Sequence, residues 1–269
     1  MNNDIVSKIS FHIVSDDFDK ARKLIESDAV SGQGYHVCLS EYNGEITIEL
    51  SAKTKSESVS AADSEDSLAP AAAEIRAAFG DDIYTENGCS LAETVVRLLT
   101  ERGKSVATAE SCTGGLVSKL ITDVSGASKV FSMGITAYTA SVKERVLGVP
   151  HDLIDREGTV SPTVAEYMAE GARVISGSTY GIGITGVAGG MTENKPSGLV
   201  YVSVSDGVTE WTRQLMIGDG SGEQREYVCN VAATTALDML RRSVIGIAEN
   251  GQPVNLSTSP DSLTPTATG

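Results

Sequence analysis

The chain has 269 residues, 41% of them apolar, which suits one domain of about 150 residues with a real core plus smaller appendages. Its formal charge of −15 is spread along its length: residues 1–85 hold 7 basic and 16 acidic side chains, and the remainder 14 and 20, so neither part has the basic excess that a phosphate backbone demands. There is no apolar run of about 18 residues and no basic start leading into an apolar stretch, so neither a membrane span nor a secretion signal is read, and the cytoplasm is the expected location.

Residues 5–14 (IVSKISFHIV) and 45–52 (EITIELSA) alternate apolar and polar side chains as half-buried strands do. With helical spacing over 17–27 and a further strand near 34–42, residues 1–52 read as a small α+β domain. Residues 53–69 are rich in Ser, Ala, Asp and Glu with almost no large apolar side chains, the composition of a linker. A connecting helix and turn are expected over 70–89, with Pro70 placed to start the helix and Gly80 to end it.

From Ser90 the signals become regular. Ser90 and Glu93 form a capping box that opens a helix over 91–102, closed by Gly103. A strand at 105–109 runs into the turn 110–115, a helix follows to about 122, and 130–139 reads as a second strand. Ser161-Pro162 starts a helix through about 175, and strands follow at 179–185, 198–205 and 208–217, the last two joined at Asp206-Gly207, a strong hairpin signal. A last helix spans about 221–243, and 246–269 is a Ser/Thr/Pro/Gly tail expected to be disordered. Helices alternating with strands imply, over 90–245, an α/β fold: a three-layer α/β/α sandwich with a mixed sheet.

Chemistry concentrates in three places. In Ala109-Glu110-Ser111-Cys112-Thr113-Gly114-Gly115 the chain passes from a strand straight into a helix, whose unpaired N–H groups and positive dipole end make an anion or oxyanion cradle beside Ser111. A plain helix cap at Ser111 or Thr113 is the simpler alternative, and Cys112 is a rival nucleophile with nothing near it in sequence to lower its pKa. None of the three histidines stands in a triad context, so a lysine base is the remaining option: Lys143, five residues after Tyr138, would need burial to supply a neutral amine. The alternative is that Lys143 and Arg145 are solvated helix charges and Tyr138 is core. Last, the loop 185–198 (TGVAGGMTENKPSG) offers Thr185, Gly186, Gly189, Gly190, Thr192 and Lys195 to a phosphate or an amide, although it is neither a P-loop nor a dinucleotide fingerprint. The four cysteines have no paired spacing and none lies near a histidine, so no zinc site is expected.

Together, A-E-S-C-T-G-G at 109–115, A-Y-T-A-S-V-K-E-R-V-L-G-V at 137–149, G-T-V-S at 158–161 and I-T-G-V-A-G with K-P-S-G-L-V-Y at 184–201 resemble the CinA carboxy-terminal domain family, the nicotinamide-nucleotide amidases. The resemblance implies deamidation of nicotinamide mononucleotide to nicotinic acid mononucleotide and ammonia. It implies Ser111 as nucleophile, Lys143 as base with Tyr138 assisting, an oxyanion site near Cys112, Thr113, Gly114 and Gly115, and ligand contacts from Arg145, Thr192 and Lys195. It also implies no metal or cofactor and a homo-oligomer, a dimer. The glycine loop is shorter than the family's and lacks its proline, so a non-catalytic nucleotide-binding module or a competence- or damage-linked regulatory module of the same fold stays open. Residues 44–52 and 79–84 are similar to the small KH-like connecting domain of CinA proteins, while the acidic balance of residues 1–85 argues against RNA binding.

Overall fold

The computed structural model of the chain describes residues 5–31, 35–53, 61–190 and 193–247. Two sheets organise it. The first is antiparallel, order β2-β3-β1-β4, from β1 (Ile5–Val14), β2 (Tyr35–Tyr42), β3 (Glu45–Lys53) and β4 (Ile83–Thr85). Helix α1 (Phe18–Glu26) follows β1, and Asp17 accepts the Lys20 amide at its start. One face of this sheet buries Phe11, Ile13, Ile46, Ile48 and Leu50, alternate residues of β1 and β3 as the pleat requires.

That face is covered by helix α2, and here the sequence reading needs correction. Far from being a linker to residue 69, the chain is helical over Ala61–Phe79, so Pro70 sits inside the helix instead of starting it. An interior proline costs a helix about 3 kcal/mol. Leu68, Ala71, Ala72, Ile75 and Phe79 all bury against the sheet, and complete burial of each large apolar side chain is worth about 1.5–3 kcal/mol, so packing outweighs the break. The low hydrophobicity of the helix's first turns hid it from composition. Residues 54–60 of the expected linker, and the expected tail from residue 248 on, lie outside the described residues.

The second sheet, order β6-β5-β7-β8-β9, contains β5 (Val106–Glu110), β6 (Phe131–Thr136), β7 (Tyr180–Gly186), β8 (Leu199–Ser205) and β9 (Glu210–Met216). It is mixed, as expected: β5 is parallel to β6 and β7, while β7, β8 and β9 are antiparallel. On one face lie α3 (Leu91–Glu101), α4 (Leu116–Thr122) and α8 (Arg225–Ile245), packed through Val95, Leu99, Val117, Ile121, Val228 and Leu240. On the other lie α5 (Ala140–Leu147), α6 (His151–Glu157) and α7 (Pro162–Ser176), packed through Leu147, Leu153, Val164 and Met168. The three-layer sandwich is thereby confirmed, and the Ser90/Glu93 capping box is present at α3. The backbone of α7 lies directly on β7: a Cβ at Gly181 or Gly183 would stand 2.0 or 2.1 Å from a carbonyl oxygen of α7.

Candidate active site

Strand β5 is buried along its whole length between β6 and β7, and the chain leaves its end into the turn 111–115. The Ser111 amide still donates to Ile184 O of β7 at 3.0 Å, so the residue after the strand is held in register with the sheet. Ser111 is 8% exposed. Strand β6 ends at Thr136, three residues earlier than its sequence pattern suggests, and the freed segment 137–139 turns into α5, which carries Lys143 inward from its second turn.

There the two groups meet. Lys143 Nζ lies 3.0 Å from Ser111 Oγ and donates to Ala137 O at 2.7 Å, with the side chain 1% exposed. Burial pushes the Lys143 ammonium down to about 8, so about a tenth of the amine is neutral at pH 7 and about half at pH 8, with a lone pair available to the serine hydroxyl. Burial also pushes the Cys112 thiol up to about 12, which leaves it inert beside the serine.

The cradle differs from the expectation. The amides of Gly115, Val117 and Ser118 at the start of α4 do not face outward. They donate to the carboxylate of Glu110, at 3.1, 3.0 and 2.8 Å, and the Ser118 hydroxyl adds a fourth bond at 2.7 Å. Glu110 is fully buried. The chain thus supplies its own anion to the positive end of α4. The Gly114 amide is also taken, by Ser111 O at 3.1 Å, whereas those of Cys112 and Thr113 have no backbone acceptor among the described residues. The buried Thr113 Oγ1 likewise has no partner among them. Of the four residues expected to form an oxyanion site, Gly114 and Gly115 have their amides taken, which leaves those of Cys112 and Thr113.

Other expected contacts do not converge. Tyr138 is 60% exposed, and its hydroxyl accepts from Arg225 Nη2 at 3.0 Å, with no bond to Lys143 or Ser111. Lys195 donates to Glu157 O and Val160 O, both at 2.6 Å, so it clasps the α6–α7 connection and is not a free phosphate ligand. Thr185 Oγ1 is buried on Thr159 O at 2.7 Å, and Arg145 is exposed and bonded to Ser141 O of its own helix. Gly186 ends β7, and Gly190 is exposed on the loop. Thr192 lies outside the described residues.

Two groups of the site were missed by sequence reasoning. Glu110 sits inside the A-E-S-C-T-G-G motif and could have been weighed as a cap acceptor. Arg225, the first residue of α8, had no local signal. It reaches Tyr138 and lies against the glycine loop, 3.6 Å from the position a Cβ on Gly189 would take. Among the described residues no cluster of three or more His, Cys, Asp or Glu side chains could hold a metal ion, and no helix is long and apolar enough to cross a membrane.

These features define an α/β/α sandwich with a buried serine–lysine pair at the carboxyl end of its central parallel strand. Residues 89–244, more than half of the chain, match the family described as "CinA C-terminal domain", and the chain belongs to that family. It is 41% identical over 224 residues to a CinA-like protein of Desulfovibrio desulfuricans, an alignment covering 82% of this chain and 51% of that one. It is 46% identical over 173 residues to a CinA-like protein of Anaeromyxobacter sp., covering 63% and 41%. The chain therefore spans about half the length of the curated relatives it matches. Among solved structures, the competence/damage inducible protein of Agrobacterium tumefaciens matches with a TM-score of 0.53 and 31% identity over 60% of this chain and 99% of that one. A competence damage-inducible protein from Klebsiella pneumoniae matches with a TM-score of 0.55 and 25% identity, over 58% and 95%.

Proposed function

We propose that the chain is a serine amidohydrolase that deamidates nicotinamide mononucleotide. The observation that carries this reading is the 3.0 Å approach of Lys143 Nζ to Ser111 Oγ, with the amine buried and its pKa pushed down to about 8. A serine hydroxyl is a weak nucleophile until a positioned base takes its proton, and a neutral lysine amine at hydrogen-bond distance is such a base. Ser111 Oγ attacks the carboxamide carbon as its proton passes to Lys143. The oxyanion is received by the amides of Cys112 and Thr113, with Thr113 Oγ1 as a further polar partner. Lys143 returns the proton to the amide nitrogen, the C–N bond breaks and ammonia leaves. Water then adds to the acyl-serine with Lys143 again taking the proton, releasing the carboxylate product and restoring Ser111.

Arg225, beside Tyr138 and Gly189, is the cation suited to the phosphate of the mononucleotide, a role that the committed side chain of Lys195 leaves open. Ammonia release from nicotinamide mononucleotide tests the reading: the unaltered protein releases it and Ser111→Ala does not. No release by the former, or undiminished release by the latter, removes the proposal.

A further inference from the structure

The residues that catalysis uses all lie in the unit built on the second sheet, yet the N-terminal sheet is attached to both ends of one of its elements, α8. At the far end of the helix, Arg241 Nη2 donates to Asp81 O and Arg242 Nη2 pairs with Asp82, both at 2.6 Å. Both arginines also bond Asp238, at 2.7 and 2.6 Å, and all three side chains are buried, so this end is fixed as an ion network.

The near end is held differently. Its N-cap position, Gln224, makes no capping bond, and the Gln224 side chain instead accepts the Asp219 amide. The approach to it runs through Gly218, Gly220 and Gly222, all with positive φ. No capping side chain among the described residues fixes the first turn, which bears Arg225. Besides the bond of Arg225 to Tyr138, the start of the helix meets the turn between β2 and β3. Gly44, left-handed at φ +81°, brings the backbone against Val231, whose Cγ1 stands 3.4 Å from where a Cβ would be. The Glu41 carboxylate and the Tyr227 hydroxyl line the same cleft, and after burial it is the charge of Glu41 that pushes this phenol up, two residues from Arg225. Between these two attachments lies a cleft of about 550 Å³ lined by Glu41, Gly44, Asp82, Tyr227, Val231 and Arg242, so the attachments at either end of α8 are separate. On its other side the turn of helix is tied to the catalytic loop, where Cys229 Sγ donates to Cys112 O at 3.1 Å.

We infer that the N-terminal unit positions the phosphate-facing end of the site: the β2–β3 turn, through Glu41 on Tyr227 and Gly44 on Val231, sets where the first turn of α8 holds Arg225. Glu41, Tyr227 and Val231 are positioning residues that touch neither Ser111 nor Lys143. The inference rests on the amidase reading above. Because Arg225 contacts a part of the ligand that does not react, its displacement weakens ground and transition states alike, raising KM and sparing kcat.

The experiment is steady-state ammonia release from nicotinamide mononucleotide by the full chain and by Tyr227→Phe, Glu41→Gln, the double variant and Val231→Ala. Calorimetric binding of the same nucleotide to each change in a Ser111→Ala background accompanies it. The removed contact is the single polar approach of Tyr227 to Glu41, so KM and the dissociation constant rise about three- to tenfold. In this result kcat stays within twofold, Val231→Ala moves in the same direction, and the double variant is no worse than either single one, because both remove one contact. Unchanged KM in all variants, or a fall in kcat at constant KM, overturns the inference while leaving the amidase intact. Absence of ammonia release from the unaltered protein instead overturns the amidase reading itself.

Discussion

The carboxylate of Glu110 holds Ser118 twice, accepting its amide at 2.8 Å and its hydroxyl at 2.7 Å, and so ties the end of β5 to the first turn of α4 across the loop that presents Ser111. Replacing Glu110 by alanine deprives the Gly115, Val117 and Ser118 amides of the fully buried carboxylate that accepts them, with Val117 buried and the other two half-buried. Leaving buried donors unmet costs about 1–3 kcal/mol each, partly relieved by water entering the vacated space. Glu110→Ala is expected to lose about 3–5 kcal/mol of unfolding free energy. Glu110→Gln, which turns one acceptor into a donor facing a donor, falls between. Urea unfolding measures this, and an unchanged midpoint for the alanine variant means that the buried carboxylate is not what closes the loop.

Lys143 gives a pH signature with a definite sign. Its folded pKa is pushed down to about 8 from the ordinary 10.5, and only the neutral amine can take the Ser111 proton. Ammonia release, as kcat/KM, therefore rises with pH to a plateau, with its midpoint near pH 8. Stability follows the same group. Between about 8 and 10.5 the unfolded chain binds the proton and the folded chain does not, so stability rises with pH across that window, and below it the penalty of burying the ammonium is present in full. Lys143→Met removes the group: it loses activity by about a thousandfold and removes the pH-dependent stability gain, worth about 3 kcal/mol, relative to the parent chain. Matched unfolding curves at pH 7.5 and 10.5 check this, and an identical pH dependence in parent and variant contradicts it.

How much of this arrangement was legible in the sequence depends on distance along the chain. The core strands β5 and β7 and the hairpin β8–β9 were readable because their apolar runs and the Asp206-Gly207 turn are local signals. Helices α5 and α6, of 8 and 7 residues, are too short for a 3.6-residue period to repeat; α5 enters the sequence reading only as the helix on which Lys143 and Arg145 would be solvated charges, and α6 not at all. Composition misled over residues 61–69, which carry few large apolar side chains although the helix continues into Leu68, Ala71, Ala72, Ile75 and Phe79, which bury against the sheet. Spacing alone left Ser111 and Lys143 ambiguous, and the ordered motifs shared with the CinA family joined them. Arg225 on Tyr138 is a contact between residues far apart in sequence, made only when α8 packs beside the loop that carries Ser111, so no pattern announced it.

Gly183 marks a place where the fold tolerates no side chain. A Cβ there would stand 2.1 Å from Ala165 O and 2.5 Å from Ala169 N, both backbone atoms of α7, so the helix must move as a body. Forcing a methyl group into such a contact costs about 3 kcal/mol. The displacement is also transmitted to the site, since the neighbouring Ile184 O receives the Ser111 amide. Gly183→Ala is expected to unfold at lower temperature and to lose kcat while folded. Thermal melting with ammonia release measured well below the transition tests both, and a fully active, equally stable variant refutes the close packing of α7 on β7.

On the proposed amidase reading, Arg225→Ala separates the ligand-holding end of the site from its reacting end. The guanidinium is bonded to Tyr138 Oη and lies against Gly189, and among the described residues no hydrogen bond joins it to Ser111 or Lys143. A charge-assisted contact to a phosphate is worth about 1.5–3 kcal/mol, so its loss raises KM for nicotinamide mononucleotide by about ten- to a hundredfold. Because the phosphate takes no part in the chemistry, kcat changes little. Arg225→Lys keeps the charge but not the planar fork, so it recovers only part of the affinity and loses the bond that holds Tyr138. Raising the salt concentration should weaken nucleotide binding by the parent chain more than by Arg225→Ala, since the contact that salt screens is the one the variant lacks. Equal salt dependence in the two, measured by calorimetry, would place the phosphate elsewhere in the site.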